Sequence, residues 1–370
     1  MATKFEPVYA ISPEMVRDIG RIEACRGRAF HAPLAPAVFA SLRKSARLQT
    51  VHYSTLIEGN RLSLEQIDKV IEHKGHFPGR ERDEEEIKGY YVALAQVERW
   101  VAQGVTISEK LIQQTHALVV GGGKEGLKPS LYRDGQNVIY DGATKGIVYM
   151  PPEAKDVPLL MAGLVKWLHE NKELPCPLLA AIAHYQFATI HPYYDGNGRT
   201  ARLLTTFIIH TYSYDLQGIY SLEEYYARDL ASYYKALSVG PSHNYYMGRA
   251  EADISGWISY FIAGMAEAFE RVVDQLFSER RSDMPTRSVR DRTLLLRSLK
   301  PLQRKVLELF EAHETISADQ IAQILGYTQR SAALQCKKWV AERFLEIADS
   351  SKKARRYRLA SQFELLVIKQ

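Results

Sequence analysis

Residues 191–202 read HPYYDGNGRTAR, and this stretch determines the local fold around which the rest of the chain is interpreted. The segment before it, CPLLAAIAHYQFATI, has apolar residues at the spacing of a helix, which predicts a helix that ends where the stretch begins. The segment from Arg199 to Ile209 is again typical of a helix. The stretch is therefore predicted to be a short connection between two helices.

The turn within this connection offers a site for an anion. Gly196 and Gly198 flank Asn197, and glycines allow backbone N–H groups to converge at the start of the second helix. The dipole of that helix favours negative charge at the same place. Arg199 and Arg202 are three residues apart on one helix face, so both are placed to contact the same anion. The turn is predicted to bind phosphate.

Two further side chains add reactive chemistry to the turn. Asp195 supplies a hard carboxylate of the kind that holds Mg²⁺ together with substrate phosphates. His191 has an ordinary pKa of about 6.5, which suits proton abstraction near neutral pH. These residues together predict nucleotidyl transfer, in which a base deprotonates a hydroxyl that then attacks a metal-bound phosphate. An EF-hand is excluded because Arg199 and Thr206 occupy ligand positions, and no Walker-type pattern surrounds the turn.

The stretch resembles the Fic family motif H-P-F-x-[D/E]-G-N-G-R-x-x-R, with Tyr193 in place of the phenylalanine. The resemblance implies a mainly α protein, with a Fic-type helical core and a β-hairpin flap, that uses ATP and Mg²⁺ to transfer AMP to a Ser, Thr or Tyr hydroxyl of a protein. It also implies that the aromatic ring packs below the active loop, where a tyrosine hydroxyl requires a partner or a route to solvent. Matching positions assign a catalytic base to His191, a metal ligand to Asp195, and nucleotide contacts to Gly196, Asn197, Gly198, Arg199 and Arg202.

Two other segments fit this resemblance. Val138–Tyr140 and Ile147–Met150 are β-rich runs around the turn DGATKG, which predicts a hairpin. In the family such a hairpin is a flap that pairs with the backbone of the target protein, so residues 137–150 are predicted to bind the target. After the motif, Tyr233 and Tyr234 are predicted to form the adenine side of the nucleotide pocket, with ordinary packing as the alternative.

Residues 54–60, STLIEGN, form a second motif. Ser54 and Glu58 are one helical turn apart, and Gly59 supplies a helix stop. The segment resembles the family's inhibitory motif [S/T]-x-x-x-E-[G/N], whose Glu pairs with the second motif arginine and displaces the γ-phosphate. The resemblance implies that Glu58 is autoinhibitory, and a capped helix without regulatory role is the alternative. In some relatives the same Glu positions water to remove AMP, which stays open here.

Composition bounds the class of protein. The chain has 370 residues, of which 46% are hydrophobic and 25% charged, as in ordinary globular proteins of two or more domains. No apolar run approaches the ~18 residues of a membrane span, and the N-terminus lacks a signal-peptide core, so a cytoplasmic location without membrane attachment is expected. The three cysteines are widely spaced and match neither a disulfide framework nor a zinc site.

Basic charge is concentrated at the C-terminal end. Residues 295–370 contain 14 Lys and Arg against 8 Asp and Glu, a net charge of +6, while the whole chain has +5. Three helical patterns, the second with a Ser317–Gln320 capping box, precede two strand patterns, so this part resembles a winged helix-turn-helix. DNA contact is predicted through the third helix and through a basic tip with Lys352, Lys353, Arg355 and Arg356. A docking or dimerisation module is the alternative, and a homodimer stays open.

The chain is thus predicted to have four parts: an N-terminal helical region with the inhibitory helix (1–100), a Fic core (101–277), a charged linker (278–294) and a winged helix-turn-helix (295–370). The favoured function is an autoinhibited protein adenylyltransferase, with itself among the candidate targets. The alternatives are a nucleotide-sensing DNA-binding regulator and an enzyme whose main activity is the removal of AMP from a modified protein.

Overall fold

A computed structural model of the chain describes residues 5–30, 36–124, 126–140, 146–283, 296, 299–349, 355–360, 363 and 366. The chain divides into two compact units, residues 1–278 and residues 279–370, and each unit has its own hydrophobic core. Among the described residues, none of the helices combines the length and apolar character that a membrane span requires.

The first unit is mainly helical, which confirms the predicted fold class for this part of the chain. Its helices are α1 (Pro13–Phe30), α2 (Pro36–Ile57), α3 (Leu64–Ile71), α4 (Glu81–Ala102), α5 (Glu109–Val120), α6 (Val157–Glu170), α7 (Cys176–Ile190), α8 (Asn197–Thr211), α9 (Glu223–Arg228), α10 (Leu230–Leu237) and α11 (Ser255–Asp283). Helix α2 packs against α4, α8 and α9 within this unit, and the division into an N-terminal region (1–100) and a core (101–277) stays a prediction.

Helices α7 and α8 pack against each other at the centre of the first unit. Every residue of α7 except Ala188 is buried, because apolar side chains occupy most of the circumference of the helix. The first turns of α8 are also buried, including Asn197, Arg199 and Arg202. The short connection between these helices, residues 191–196, is therefore fixed at both ends by the core.

The predicted hairpin is present between α5 and α6. Strands β1 (Ile139–Tyr140) and β2 (Ile147–Tyr149) are antiparallel, with Ile139 opposite Tyr149. Just after β2, the backbone N–H of Met150 donates to the His243 carbonyl at 2.7 Å, and Tyr245 N–H donates to the Met150 carbonyl at 3.0 Å. The predicted turn lies largely outside the described residues, which resume at Gly146.

The second unit contains helices α12 (Pro301–Ala312), α13 (Ala318–Leu325) and α14 (Gln329–Ala341), and strands β3 (Ile316–Ser317), β4 (Leu345–Asp349) and β5 (Arg356–Leu359). The strands form an antiparallel sheet in the order β3-β5-β4. The Ser317–Gln320 capping box starts α13 as its sequence predicts. A helix, a strand, two helices and two strands follow each other in this unit, and its assignment as a winged helix-turn-helix stays a prediction. Lys352 and Lys353, at the predicted basic tip, lie outside the described residues.

Candidate active site

The loop between α7 and α8 turns sharply at both of its ends. His191, the first residue after α7, has a left-handed backbone conformation (φ 51°, ψ 60°), and its N–H donates to the Phe187 carbonyl at 3.0 Å. Gly196, just before α8, is also left-handed (φ 75°). A Cβ atom at Gly196 would lie 2.9 Å from Val120 Cγ1 and 3.2 Å from His116 Nε2. Glycine is therefore required at this position by conformation and by space.

Asn197, the first residue of α8, and His116, on α5, hold the loop in place. Asn197 Oδ1 accepts from the Tyr193 N–H at 3.0 Å, and Asn197 Nδ2 donates to the Tyr193 carbonyl at 2.7 Å. His116 Nε2 lies 2.9 Å from the Asp195 carbonyl and Nδ1 lies 2.7 Å from Ser130 Oγ, while its ring stacks on Tyr193. Burial lowers the pKa of His116 to about 4, so it is neutral at pH 7. Because the Asn197 amide is committed to the loop, this residue offers an anion only its backbone N–H.

Arg133 connects the base of the hairpin to the same loop. Its Nε donates to the His191 carbonyl at 2.9 Å, and its backbone N–H donates to the Pro192 carbonyl at 2.9 Å. Its two remaining nitrogens donate to the carbonyls of Gly135 at 3.0 Å and Pro152 at 2.5 Å. The sequence motifs predict neither Arg133 nor His116. Both side chains bond to backbone carbonyls of the loop, and such contacts leave no pattern in the spacing of residue types.

His191 presents a neutral imidazole to the loop. Its Nδ1 is 3.4 Å from the Ala188 carbonyl, and a proton on Nδ1 directed at that carbonyl leaves Nε2 free to accept another. Burial lowers the pKa of His191 to about 4, and the nearby Arg133 charge acts in the same direction. The side chain is only partly buried overall, so Nε2 is compatible with contact to an incoming hydroxyl.

Glu58 lies directly beside the turn that the sequence predicts to bind an anion. Its Oε1 accepts from Arg202 Nη2 at 2.7 Å, although α2 ends one residue before it and Gly59 turns the chain away with φ 97°. A Cβ atom at Gly198 would lie only 2.4 Å from the same Oε1. Ser54 binds Arg202 as well: its Oγ accepts from Nε at 2.7 Å and its carbonyl accepts from Nη2 at 2.8 Å. Arg202, the second arginine of the motif, is thus 1% exposed and is bonded to both Ser54 and Glu58.

Asp195 has the position and exposure of a metal ligand. Its side chain is 65% exposed, and Oδ1 accepts from the Gly196 N–H at 2.6 Å and from Arg199 Nη2 at 3.3 Å. Arg199 is buried, and its Nη1 lies 3.9 Å from Glu86 Oε1. Its Nε has no hydrogen-bond partner among the described residues. No group of three or more acidic, histidine or cysteine side chains suited to a metal occurs in the described part of the chain. These residues fit Mg²⁺ held by a single carboxylate together with phosphate and water.

The two tyrosines predicted to contact adenine have different environments. Tyr233 is buried in the core, where its hydroxyl lies 3.0 Å from His184 Nε2 and its ring stacks on Tyr226. Tyr233 is 2% exposed, and its role in nucleotide binding stays a prediction. Tyr234 is 48% exposed, and its hydroxyl lies 3.5 Å from the Ile57 carbonyl, next to Glu58. A role of Tyr234 in nucleotide binding stays a prediction.

Tyr193 occupies the position where the family motif has phenylalanine. Its ring packs below the loop, against His116 on one face and within 6.4 Å of the Phe187 ring centroid. The hydroxyl is buried and has no hydrogen-bond partner among the described residues. The partner or route to solvent that the sequence requires for this hydroxyl is therefore not found in this part of the structure.

The fold and the site together define a class of helical proteins in which a glycine-containing loop joins two buried helices, beside a histidine, an exposed carboxylate and a hairpin. Residues 106–209 match the model of the Fic/DOC family. The loop between α7 and α8 lies within these matched residues, so this part of the chain is similar to Fic/DOC proteins.

Proteins similar to this chain match it over more residues than the family model does. The protein adenylyltransferases Fic of Drosophila sechellia and Drosophila melanogaster are each 34% identical over 165 residues, which is 44% of this chain and 32% of theirs. The match thus spans about a third of the length of these relatives. A Fic family protein from Desulfovibrio desulfuricans has the same fold, with a TM-score of 0.61 at 23% identity over 96% of this chain and 99% of that one. A Fic domain containing signaling protein from Bacteroides thetaiotaomicron gives a TM-score of 0.57 at 22% identity, over 71% of this chain and 95% of that one.

Proposed function

We propose that this chain is a protein adenylyltransferase that transfers AMP from ATP to a Ser, Thr or Tyr hydroxyl of a protein. The observation that carries the proposal is the arrangement at one loop of a neutral His191, an exposed Asp195 and the N-terminus of α8. The names of the Drosophila relatives support the same activity.

In this proposal His191 acts as the base, and the start of α8 with its arginines binds the phosphates. His191 Nε2 accepts the proton of the target hydroxyl, the hydroxyl oxygen attacks the α-phosphorus of ATP, and pyrophosphate leaves as the bond to its bridging oxygen breaks. The N–H groups at the start of α8, with Arg199 and Arg202, hold the phosphates. Asp195 would hold Mg²⁺, which neutralises phosphate charge when bound.

The hairpin is proposed to hold the target segment. Tyr140 and Ile147 are exposed apolar side chains on residues 137–150, next to the active loop that Arg133 ties to it. The outer side of β2 is bonded at Met150 to residues 243–245. A target strand is therefore expected to add to β1, whose outer edge has no strand partner among the described residues.

Autoinhibition is the second element of the proposal. The Glu58 carboxylate occupies the space next to Gly198 and is paired with Arg202, the residue proposed to bind the γ-phosphate. A carboxylate and a phosphate cannot share this arginine without strong repulsion. ATP with its phosphates in the productive position thus requires that Glu58 leave.

Position-specific labelling tests the proposed activity. The Glu58→Gly protein is incubated with ATP labelled at the α- or the γ-phosphate, a mixture of candidate proteins and Mg²⁺. Label from the α-phosphate alone is expected on protein, because AMP transfer releases the γ-phosphate with pyrophosphate. Transfer of the γ-label would indicate a kinase instead, and absence of both labels would contradict the proposal. Asp195→Ala is expected to remove the stimulation of ATP binding by Mg²⁺.

DNA binding by the second unit is a separate candidate function, favoured by the exposed basic residues Arg330, Lys337 and Lys338 on α14. Fluorescence anisotropy with duplex DNA is expected to show binding whose affinity falls by ~0.9 log units per log unit of salt for each phosphate contacted. Lys337→Gln should weaken binding more than the matched Lys305→Gln change on α12. No binding at low salt would favour a protein-docking role.

A further inference from the structure

A cavity of about 290 Å³ lies in the first unit, away from the α7–α8 loop. It is enclosed by the connection between α4 and α5, the end of α6, the first turn of α7 and the C-terminal half of α8. Thr211, the last residue of α8, lines the cavity, whereas Asn197 begins the same helix at the loop. At a rise of about 1.5 Å per residue, the two ends of α8 are on the order of 20 Å apart. The cavity is therefore separate from the candidate active site.

The floor of the cavity is apolar and its mouth is open. Four buried side chains form the floor: Leu168, Leu179, Phe207 and Ile208. At the mouth, a Cβ atom added to Gly104 would meet no other atom within 4 Å. Water inside an apolar cavity finds few hydrogen-bond partners, and such a cavity of about 150 Å³ binds one benzene ring. The space here is thus sufficient for an apolar body of about two fused rings.

Most polar side chains of the lining are bonded to backbone carbonyls. Thr211 Oγ1 donates to the carbonyl four residues earlier at 2.8 Å, and the Tyr212 hydroxyl donates to the Lys172 carbonyl at 3.3 Å. His169 Nε2 lies 2.9 Å from the Ile107 carbonyl. These bonds leave the charged side chain of Lys172 as the principal group that can select a ligand.

Lys172 gives the mouth of the cavity a positive charge. Its side chain is exposed and has no carboxylate partner among the described residues. None of the described residues that line the cavity is acidic, and the exposed Thr106 adds a hydroxyl donor to the lining. An apolar floor beneath one ammonium group is complementary to a molecule with an apolar body and a single negative charge at one end.

We propose that this cavity is a binding site for a small carboxylate whose apolar body has about the bulk of two fused rings. The body packs against Leu179 and Phe207, and the carboxylate pairs with Lys172 at the mouth. The site uses none of the residues of the proposed function, so the two proposals stand or fall separately.

Titration of the full chain with 2-naphthoate, followed by the fluorescence of the naphthalene ring, tests this proposal. We expect saturable binding with a Kd on the order of 0.1 mM, since a ligand of so few atoms gains limited affinity. Saturating ATP should leave this binding unchanged, because the phosphates are expected at the other end of α8. Absence of saturable binding, or competitive displacement by ATP, would overturn the inference.

Substitution of the lysine tests the charge of the ligand. Lys172→Gln should weaken binding of 2-naphthoate by roughly 3-fold to 5-fold, the effect of one exposed ion pair, and should leave binding of the uncharged 2-naphthylmethanol unchanged. Lys166→Gln makes the same change at an exposed lysine of α6 that does not line the cavity, so neither probe should respond. Equal affinity for 2-naphthoate before and after Lys172→Gln would show that the site does not select an anion.

A cavity-filling variant tests the location. Val105 is 36% exposed at the mouth, so Val105→Trp should place its ring in the cavity and weaken both probes by at least about 10-fold. Val16→Trp is the matched control, at a 59% exposed valine of α1 outside the cavity. Thermal unfolding checks that each variant is folded. Unchanged binding by folded Val105→Trp would place the probe elsewhere and overturn the inference, and if this variant fails to fold, the response of the two probes to Lys172→Gln decides.

Discussion

The two ends of the α7–α8 loop differ in their readiness for chemistry. At the His191 end, Arg133 holds the backbone through a hydrogen bond to the His191 carbonyl. The imidazole is neutral, and nothing in the described structure is bonded to its Nε2. At the Gly198 end, Ser54 and Glu58 accept hydrogen bonds from Nε and Nη2 of Arg202. Under the proposed function, this difference leaves the base ready for proton transfer and places control on the binding of the phosphates. Regulation of this kind changes nucleotide placement and leaves the reactive group intact.

The largest expected effect is at the preorganised end. His191→Ala should lower AMP transfer by ~10²–10⁴-fold, because an unactivated hydroxyl is a poor nucleophile. ATP affinity should be almost unchanged, since the phosphates are bound by α8 and its arginines. Label transfer and ATP titration on the same sample measure both quantities. A variant that transfers AMP at the original rate would show that His191 is not the base.

A gain is expected at the blocked end. Glu58→Gly should raise transfer by ~10²-fold, since displacement of a reacting group by about 1 Å costs that much. Glu58→Gln, which keeps a hydrogen bond to Arg202 without its charge partner, should give a smaller gain. Combining Glu58→Gly with Arg202→Ala should abolish the gain. A folded Glu58→Gly protein with unchanged activity would leave STLIEGN as an ordinary helix end.

The pH dependence of the Glu58→Gly variant sharpens the contrast further. The base must be deprotonated to act, and burial places the pKa of His191 at about 4. The kcat/KM value, which reports the free protein, should therefore stay level from pH 8 to pH 5 and fall only as pH drops through the lowered pKa. Circular dichroism over the same range checks folding. An inflection near the ordinary histidine value would mean that His191 is hydrated in the free protein.

The smallest expected effect concerns the support of the loop. Tyr193→Phe removes a buried hydroxyl that has no partner among the described residues, so the first unit should gain about 1 kcal/mol in free energy of unfolding. Tyr149→Phe is the control of opposite sign, because the Tyr149 hydroxyl donates to the Thr189 carbonyl at 2.8 Å. Urea unfolding compares the two variants. A loss of stability in Tyr193→Phe would reveal a bound water on that hydroxyl.

The parts of this site that sequence predicts are those with side-chain periodicity or a contiguous motif. The apolar spacing before His191 predicts α7, and the alternation of β-rich runs predicts the hairpin that the structure contains. Arg133 and His116 escape prediction because they bond to backbone carbonyls of the loop, which any residue possesses.

Adjacent residues of identical type set another limit. Tyr233 and Tyr234 are equivalent in the sequence, yet they point about 100° apart around a helix, so packing alone decides which ring is buried. The same holds for Tyr90, whose hydroxyl donates to Glu223 Oε1 at 3.4 Å although the two residues are 133 positions apart. Long-range contacts of this kind carry no local sequence pattern.

The buried position of Arg202 has a consequence for truncation. The guanidinium makes three hydrogen bonds to Ser54 and Glu58, and it is 1% exposed. Deleting the segment up to residue 60 would remove these three hydrogen bonds and the Glu58 counter-charge, and it would open the core around Arg202 to water. A shortened chain that loses activity would therefore report a damaged core, whereas a point substitution at Glu58 leaves Ser54 bonded to the arginine. Helix α2, which carries Ser54, therefore contributes to the packing around Arg202 in addition to the inhibitory role proposed for Glu58.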